Sequence, residues 1–298
     1  MLAIPLLSLA LGAGVASQTP LFHLDHLGCA VAPGVLEAMT ASRFLADTFA
    51  HAAPGGARDR DVSWSGFYVY GRFTYLELFR AESFAVPAET GDCMMALNAE
   101  TPGSVDWLLD TMNVALPASH PHRLDRRINL RGRELDWFSA ALFEWEDKGG
   151  LGVWALEYDP EFKHDASPRL YPEPGDITRE RGAPPVAHHP DKLLADVIGL
   201  TLALDPKRMQ TVSGQLRIMG YRIEEGDRGI TAQAPDLTIR MRPRNGEPYS
   251  IASVRMSLTR AVAERSIYRF GGEEGEGATL VVGPGDEAVL YLDGRSGR

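Results

Sequence analysis

One order of segments, a strand, a helix and then several strands, opens near residue 21 and restarts near residue 92. A chain written this way is constrained to fold as repeated modules. The first copy begins with LFHLDHLGCAV and is broken by Pro33-Gly34. In the helix-like segment that follows, Val35, Ala38, Met39, Ser42, Leu45, Ala46 and Phe49 recur at spacings that put them on one face. Residues 51–61 (HAAPGGARDRD) read as a loop, rich in Gly, Pro and charge. Residues 63–70 and 73–79 alternate aromatic with small or polar side chains around a short Gly71-Arg72 connection, which predicts an antiparallel hairpin. The second copy runs through CMMALNAE, a helix whose apolar face is Val105, Leu108, Leu109 and Met112, and the segments INLRGRELDWFSAALFEW and GLGVWALEYDP. Thr101-Pro102-Gly103 stands where Ala32-Pro33-Gly34 stood, and Glu157 where Glu77 stood.

Beyond residue 160 the pattern pauses. Residues 161–192 are rich in proline and charge, with almost no apolar periodicity, and read as a linker or surface wrap. Residues 193–298 then give strand, helix and strands once more, followed by a terminal hairpin, a third related module. The expected class is therefore α+β, built from βαβββ modules. Residues 21–160 form a paired domain with a curved, open-barrel sheet, and residues 193–298 a further module.

Composition narrows the partners. A formal net charge of −10, with no long basic stripe, argues against nucleic acid. No GxSxG, phosphate-loop, HExxH or dinucleotide fingerprint occurs. Residues 1–17 are apolar and end in Gly14, Ala16 and Ser17, the pattern of a secretory signal too short to span a bilayer. Export to the periplasm or outside the cell is expected, with a cytoplasmic chain as the alternative, and no membrane span in the mature protein. The two cysteines, Cys29 and Cys93, sit on the opening strands of successive modules. They exclude a thiolate zinc site; a bridge between them is one reading and two buried thiols the favoured one.

Three residues carry the candidate chemistry. His26 stands in an apolar strand, Glu77 between Tyr75 and Phe79, and Glu157 between Leu156 and Tyr158. A carboxylate buried in such a run is costly unless it meets a metal, a cation or a hydrogen bond. An ion pair with an arginine such as Arg72 or Arg127 is the plain structural alternative. Alternation places Asp25 on the face opposite His26, and the small Gly28 and Ala30 leave room beside the imidazole. Tyr70, Tyr75, Trp137 and Tyr158 are candidates to wall a small-molecule pocket.

The opening DH and closing YLEL of such modules resemble the vicinal oxygen chelate superfamily, which includes glyoxalase I, extradiol dioxygenases and bleomycin-binding proteins. FYVYGRFTYLELF and VWALEYDPEF resemble a glyoxalase-like bacterial branch of it. The resemblance implies a divalent metal (Fe, Mn, Ni or Zn) held by His26, Glu77 and Glu157, with Glu77 and Glu157 also catalytic. The fourth ligand position falls near Met94, which is no ligand of that kind, and Asn98 lies four residues further on. The implied function is a lyase, isomerase or dioxygenase acting on a small substrate with vicinal oxygens. The alternative is a metal-free protein of the same fold that binds a small molecule.

Overall fold

The structure, a computed structural model, describes residues 22–58, 63–83, 88–143, 150–168, 171, 173, 177, 189–271 and 277–292. The apolar leader at 1–17 and most of the linker lie outside the described residues.

The first module starts with β1 (Phe22–Ala30), buried along its whole length. Helix α1 (Pro33–Thr40) begins with a proline, whose missing N–H costs nothing at a helix start, and buries Val35 and Met39. A π-helical turn at Phe44–Phe49 adds Leu45 and Phe49. Three strands follow: β2 (His51–Arg58), β3 (Ser63–Tyr70) and β4 (Tyr75–Phe79). The second module repeats the order with β5 (Cys93–Ala99), α2 (Ser104–Ala115), β6 (His122–Leu130), β7 (Arg133–Leu142) and β8 (Leu151–Tyr158). A short helix, α3 (Pro160–Ala166), comes next, capped by the Asp159 side chain.

These eight strands form one sheet in the order β2-β3-β4-β1-β5-β8-β7-β6. The segment expected as a loop, HAAPGGAR, is instead the edge strand β2, paired to β3 along eight positions from His51↔Tyr70 to Arg58↔Ser63. Pro54 explains how both descriptions arise: a residue without an N–H is tolerated in a sheet only where the outer side needs no partner.

The sheet curls strongly. Trp64 on β3 and Trp137 on β7 are five strand spacings apart, about 24 Å in a flat sheet. Their ring centres nevertheless lie 6.0 Å apart with planes nearly parallel. Only a half-barrel can bring them together, and the face carrying these rings is its inside. The other face buries Leu24, Leu27, Cys29, Met95, Leu97 and Val153 with the helices.

The C-terminal half builds a second eight-stranded sheet from β9 (Leu194–Leu204), α4 (Pro206–Ile218), β10 (Arg222–Gly226), β11 (Gly229–Gln233) and β12 (Thr238–Pro243), then β13 (Ile251–Val262), β14 (Ser266–Phe270), β15 (Ala278–Val282) and β16 (Gly285–Tyr291). Its order, β10-β11-β12-β9-β13-β16-β15-β14, matches that of the first sheet. Residues 193–298, expected as one third module with a terminal hairpin, hold two: β13 opens a fourth module and β14–β16 complete it. This fourth module has no helix between its first and second strands. Strand direction follows from that omission. A helix returns the chain to its starting side, so β8 runs parallel to β5; without one, direction simply alternates, and β16 runs antiparallel to β13.

The two halves share one core. A single apolar cluster extends from Phe22 to Leu292 and includes Phe49, Leu193, Tyr249 and Phe270. Phe44 stacks on Tyr268 with ring centres 3.7 Å apart. The Arg72 amide donates to the Ala195 carbonyl at 2.8 Å, and the Thr74 hydroxyl bonds the Asp196 carboxylate. No described helix is long and apolar enough to cross a membrane.

Candidate functional site

The inside of the N-terminal half-barrel combines buried ionisable groups with aromatic rings. Its register places them. His26 pairs with Tyr75 on β4 and with Ala96 on β5, while Tyr68 on β3 stands opposite Glu77. Trp154 lies opposite Ala96, and Tyr158 opposite Phe138. Alternation therefore puts His26, Tyr68, Tyr70, Tyr75, Glu77, Trp154 and Tyr158 on one face.

Two β-bulges add side chains that alternation would have sent outward. In β1 the register slips between Leu24 and His26, so Asp25 is the extra residue. Asp25 consequently sits inside rather than on the opposite face, and His26 Nδ1 lies 2.6 Å from Asp25 Oδ2. The Asp–His pair that strict alternation forbids is thus present. In β7 the slip falls between the partners of Arg126 and Arg127, leaving Trp137 as the extra residue. It turns inward to Trp64, Phe138 and Phe162. Bulges re-aim side chains in this way at the cost of one unpaired ladder position.

The pocket is dry. Asp25 is fully buried, and His26 and Glu77 are each 5% exposed. The imidazole stacks on Tyr75 at 4.7 Å and meets the edge of Trp154 at 5.4 Å. Burial is the largest influence on His26 and disfavours its charged form. The hydrogen bond with Asp25 and the charge of Glu77 outweigh it, so its pKa is raised above 6.5. Burial also dominates at Glu77, whose carboxyl is pushed up to about 7 despite the opposing pull of His26 and a hydrogen bond from Tyr68. Tyr70 is pushed up to about 12, by burial and by Glu77. Tyr75 and Tyr158 are driven well above the usual phenol range, mainly by burial.

One end of the hollow is closed by α3. Its Lys163 is buried, with Nζ 4.3 Å from the centre of the Tyr158 ring and 3.1 Å from the Tyr171 hydroxyl. The Tyr158 hydroxyl in turn lies 3.5 Å from Asp25 Oδ2. The space above Gly28, which the sequence left open, is taken by Met94 and Phe79: a Cβ there would stand 2.5 Å from Met94 Cε.

Glu157 does not join this group. Leu156 and Tyr158 pack inside with Ala96, Phe138 and Ala140, so Glu157 between them passes to the helical face. There its carboxylate accepts the backbone N–H of Gly103 at 2.8 Å and of Val105 at 3.1 Å, at the start of α2. The helix has no side-chain cap of its own, because its N-cap is Gly103 in the left-handed region. Glu157 supplies that cap from a neighbouring strand, and the negative charge also suits the helix dipole. Among the described residues its hydrogen-bond partners are these two backbone N–H groups, and no arginine pairs with it.

The expected metal set of His26, Glu77 and Glu157 is therefore split across the sheet. Among the described residues no three His, Cys, Asp or Glu side chains are arranged to hold a metal ion. The donor set does not fit the divalent ion that the resemblance implied. What the face does hold is a histidine favoured in its charged form beside a carboxyl pushed up to about 7, side-chain types that general acid–base chemistry uses.

The chain belongs to the DUF5829 family, described as a family of unknown function, whose profile matches residues 25–292. No curated protein matches the sequence. Among solved structures, a hypothetical protein from Staphylococcus aureus is similar at 11% identity and a TM-score of 0.45, with 74% of this chain and 86% of that one covered. A fusion of a xylose isomerase-like TIM barrel with 4-hydroxyphenylpyruvate dioxygenase is similar at 10% identity and a TM-score of 0.41. That likeness covers 80% of this chain and 35% of the fusion protein.

Proposed function

We propose that this DUF5829 protein is a glyoxalase-like small-molecule-binding protein whose N-terminal half-barrel carries out proton transfer on its ligand without a metal held by the chain. The observation that carries the reading is the 2.6 Å Asp25–His26 pair beside Glu77 among buried aromatic rings, with the imidazole held toward its charged form and the Glu77 carboxyl pushed up to about 7. Asp25 fixes the ring by accepting the Nδ1 proton, so Nε2 is the atom that takes or gives a proton. Glu77 serves as the second exchanging group, held by Tyr68. Tyr70, Tyr75, Trp137 and Tyr158 form the walls, and their flat faces suit a planar ligand.

Export suits the same protein. The apolar leader supports it, and so does the disulfide between Cys29 and Cys93, which face each other on β1 and β5 with Cα atoms 4.1 Å apart. Such a bond persists in oxidising compartments. The expectation of two free thiols gives way to this pair.

The test uses the full chain purified without chelators. Elemental analysis is expected to find well below one equivalent of iron, manganese, nickel or zinc. Nuclear magnetic resonance titration of the His26 ring is expected to show a pKa above the ordinary value that falls in Glu77→Gln, because the neighbouring negative charge is gone. A stoichiometric metal that Glu77→Gln releases would overturn the metal-free reading. A His26 pKa unmoved by the substitution would overturn the acid–base pair.

A further inference from the structure

The same hollow contains hydrogen-bonding atoms that the acid–base pair does not use. Asn98 on β5 is 1% exposed, yet neither its Oδ1 nor its Nδ2 finds a partner among the described residues. The same is true of Asp25 Oδ1 on β1 and of Trp154 Nε1 on β8. These strands are neighbours, β1-β5-β8, and Asn98 faces His23 on one side and Leu156 on the other. Trp154 stands beside Ala96, one inward position along β5 from Asn98. Strand spacing confines all three residues to a patch roughly 10 Å by 7 Å, about the size of one small ring compound.

Buried polar atoms are almost always paired, since each unpaired one costs its full desolvation. Four such atoms on one inner face, next to a His23 Nδ1 that has only the Asp236 carboxylate 3.4 Å away, mark a place where something else supplies the partners. The inventory is specific. Trp154 offers one donor, Asn98 a donor and an acceptor side by side, and Asp25 an acceptor. An anionic ligand would face Asp25 and Glu77 together, so the complementary molecule is uncharged.

We infer that Asn98, Asp25 and Trp154 are the recognition subsite for an uncharged planar ligand with a hydrogen-bond donor next to an acceptor, as in a lactam or cis-amide. This inference rests on the reading of the half-barrel as a small-molecule site. Asn98 holds the amide edge in both directions, Trp154 bonds the second lone pair of the same carbonyl, and Asp25 Oδ1 takes a further N–H where the ligand carries one, while Asp25 Oδ2 still holds His26. The ligand is thereby set with one edge toward His26 Nε2.

The probe is 2-pyridone, compared with N-methyl-2-pyridone, which lacks the donor, and with benzoate, which is charged. Binding is read in the full chain from the indole N–H resonance of Trp154, assigned with Trp154→Phe. A saturable shift is expected with 2-pyridone. N-methyl-2-pyridone and benzoate should bind at least tenfold more weakly, and Asn98→Leu should erase the preference. The same variant should keep or raise the melting temperature by about 2 °C, because it removes an amide that the protein leaves unpaired. Equal binding of the two pyridones, the absence of any saturable shift, or a clear loss of stability in Asn98→Leu would overturn the subsite. That last outcome would make Asn98 a structural group satisfied by buried water. The His26 titration is independent of Asn98, so failure of the subsite and failure of the acid–base pair are separately visible.

Discussion

At the scale of single residues the half-barrel trades stability for ionisable groups. Glu77 has an ordinary pKa of 4.5 and is raised to about 7 by burial first of all. Between those values the folded chain keeps a proton that the unfolded chain has released. The folded state then binds more protons, and stability must fall as pH rises. The span corresponds to a loss on the order of 3 kcal/mol, complete above about pH 7. His26 acts with the same sign. Its raised pKa gives stability that is fully present below 6.5 and is lost as pH climbs through the folded value. The melting temperature should therefore decline from pH 5 to pH 8, and Glu77→Gln should flatten the decline and be the more stable protein at pH 8. Thermal denaturation across that range checks it; a melting temperature that rises toward pH 8, or an equal slope in the variant, would contradict the arrangement. The residues of this site were partly legible in the sequence. His26 and Glu77 stand out as polar groups in apolar strands. Strict alternation assigns Asp25 to the wrong face, although the sequence carries a signal: the core-facing positions Phe22, Leu24, Leu27, Cys29 and Val31 step by two except once, between 24 and 27. That single step of three is the bulge.

At the scale of elements, a carboxylate in an apolar strand has more than one way to be satisfied. Glu77 and Glu157 stand at matching places in the sequence repeat, yet in the fold one faces the hollow and the other a helix start. The difference arises because YLEL points its Glu inward in β4, while LEY in β8 is offset so that Leu156 and Tyr158 take the inner positions. Sequence alone gives the period of a strand and not its phase against the sheet, so the pairing of the two glutamates was not recoverable from it. The role of Glu157 is measurable. Removing the carboxylate in Glu157→Ala leaves the Gly103 and Val105 N–H groups at the uncapped end of α2, a loss of about 1–2 kcal/mol. Chemical denaturation should show that loss, with the His26 titration unchanged. A variant as stable as the wild type would mean that water replaces the cap without cost. Edge strands behave similarly: β2 has the composition of a loop because Pro54, Gly55 and Gly56 are turn formers, and an edge strand is the one part of a sheet that accepts them.

At the scale of the whole molecule, the restart of the strand–helix–strand order was the legible part, and it extends further than two copies. The fourth module is not legible in the sequence because it lacks the helix that marks the others, and its strands merge into the end of the third. Both sheets nevertheless keep the same strand order, so the molecule is two eight-stranded halves on one plan. They are not independent. The apolar cluster runs without a break through both, the Ala32 amide donates to the buried Tyr249 hydroxyl at 3.3 Å, and the start of β9 bonds the chain just before β4. Halves joined by a continuous core unfold together, whereas halves joined only by a linker melt separately. Calorimetry of the full chain should therefore show a single transition whose calorimetric and van't Hoff enthalpies agree. Tyr249→Ala removes a ring that is 2% exposed from that shared core, and the truncation costs about 3–5 kcal/mol. Its effect should be to lower the one transition as a whole. If the variant instead splits the transition, keeping one half at the original melting temperature, the two sheets are separate folding units and the shared core is only a contact between them.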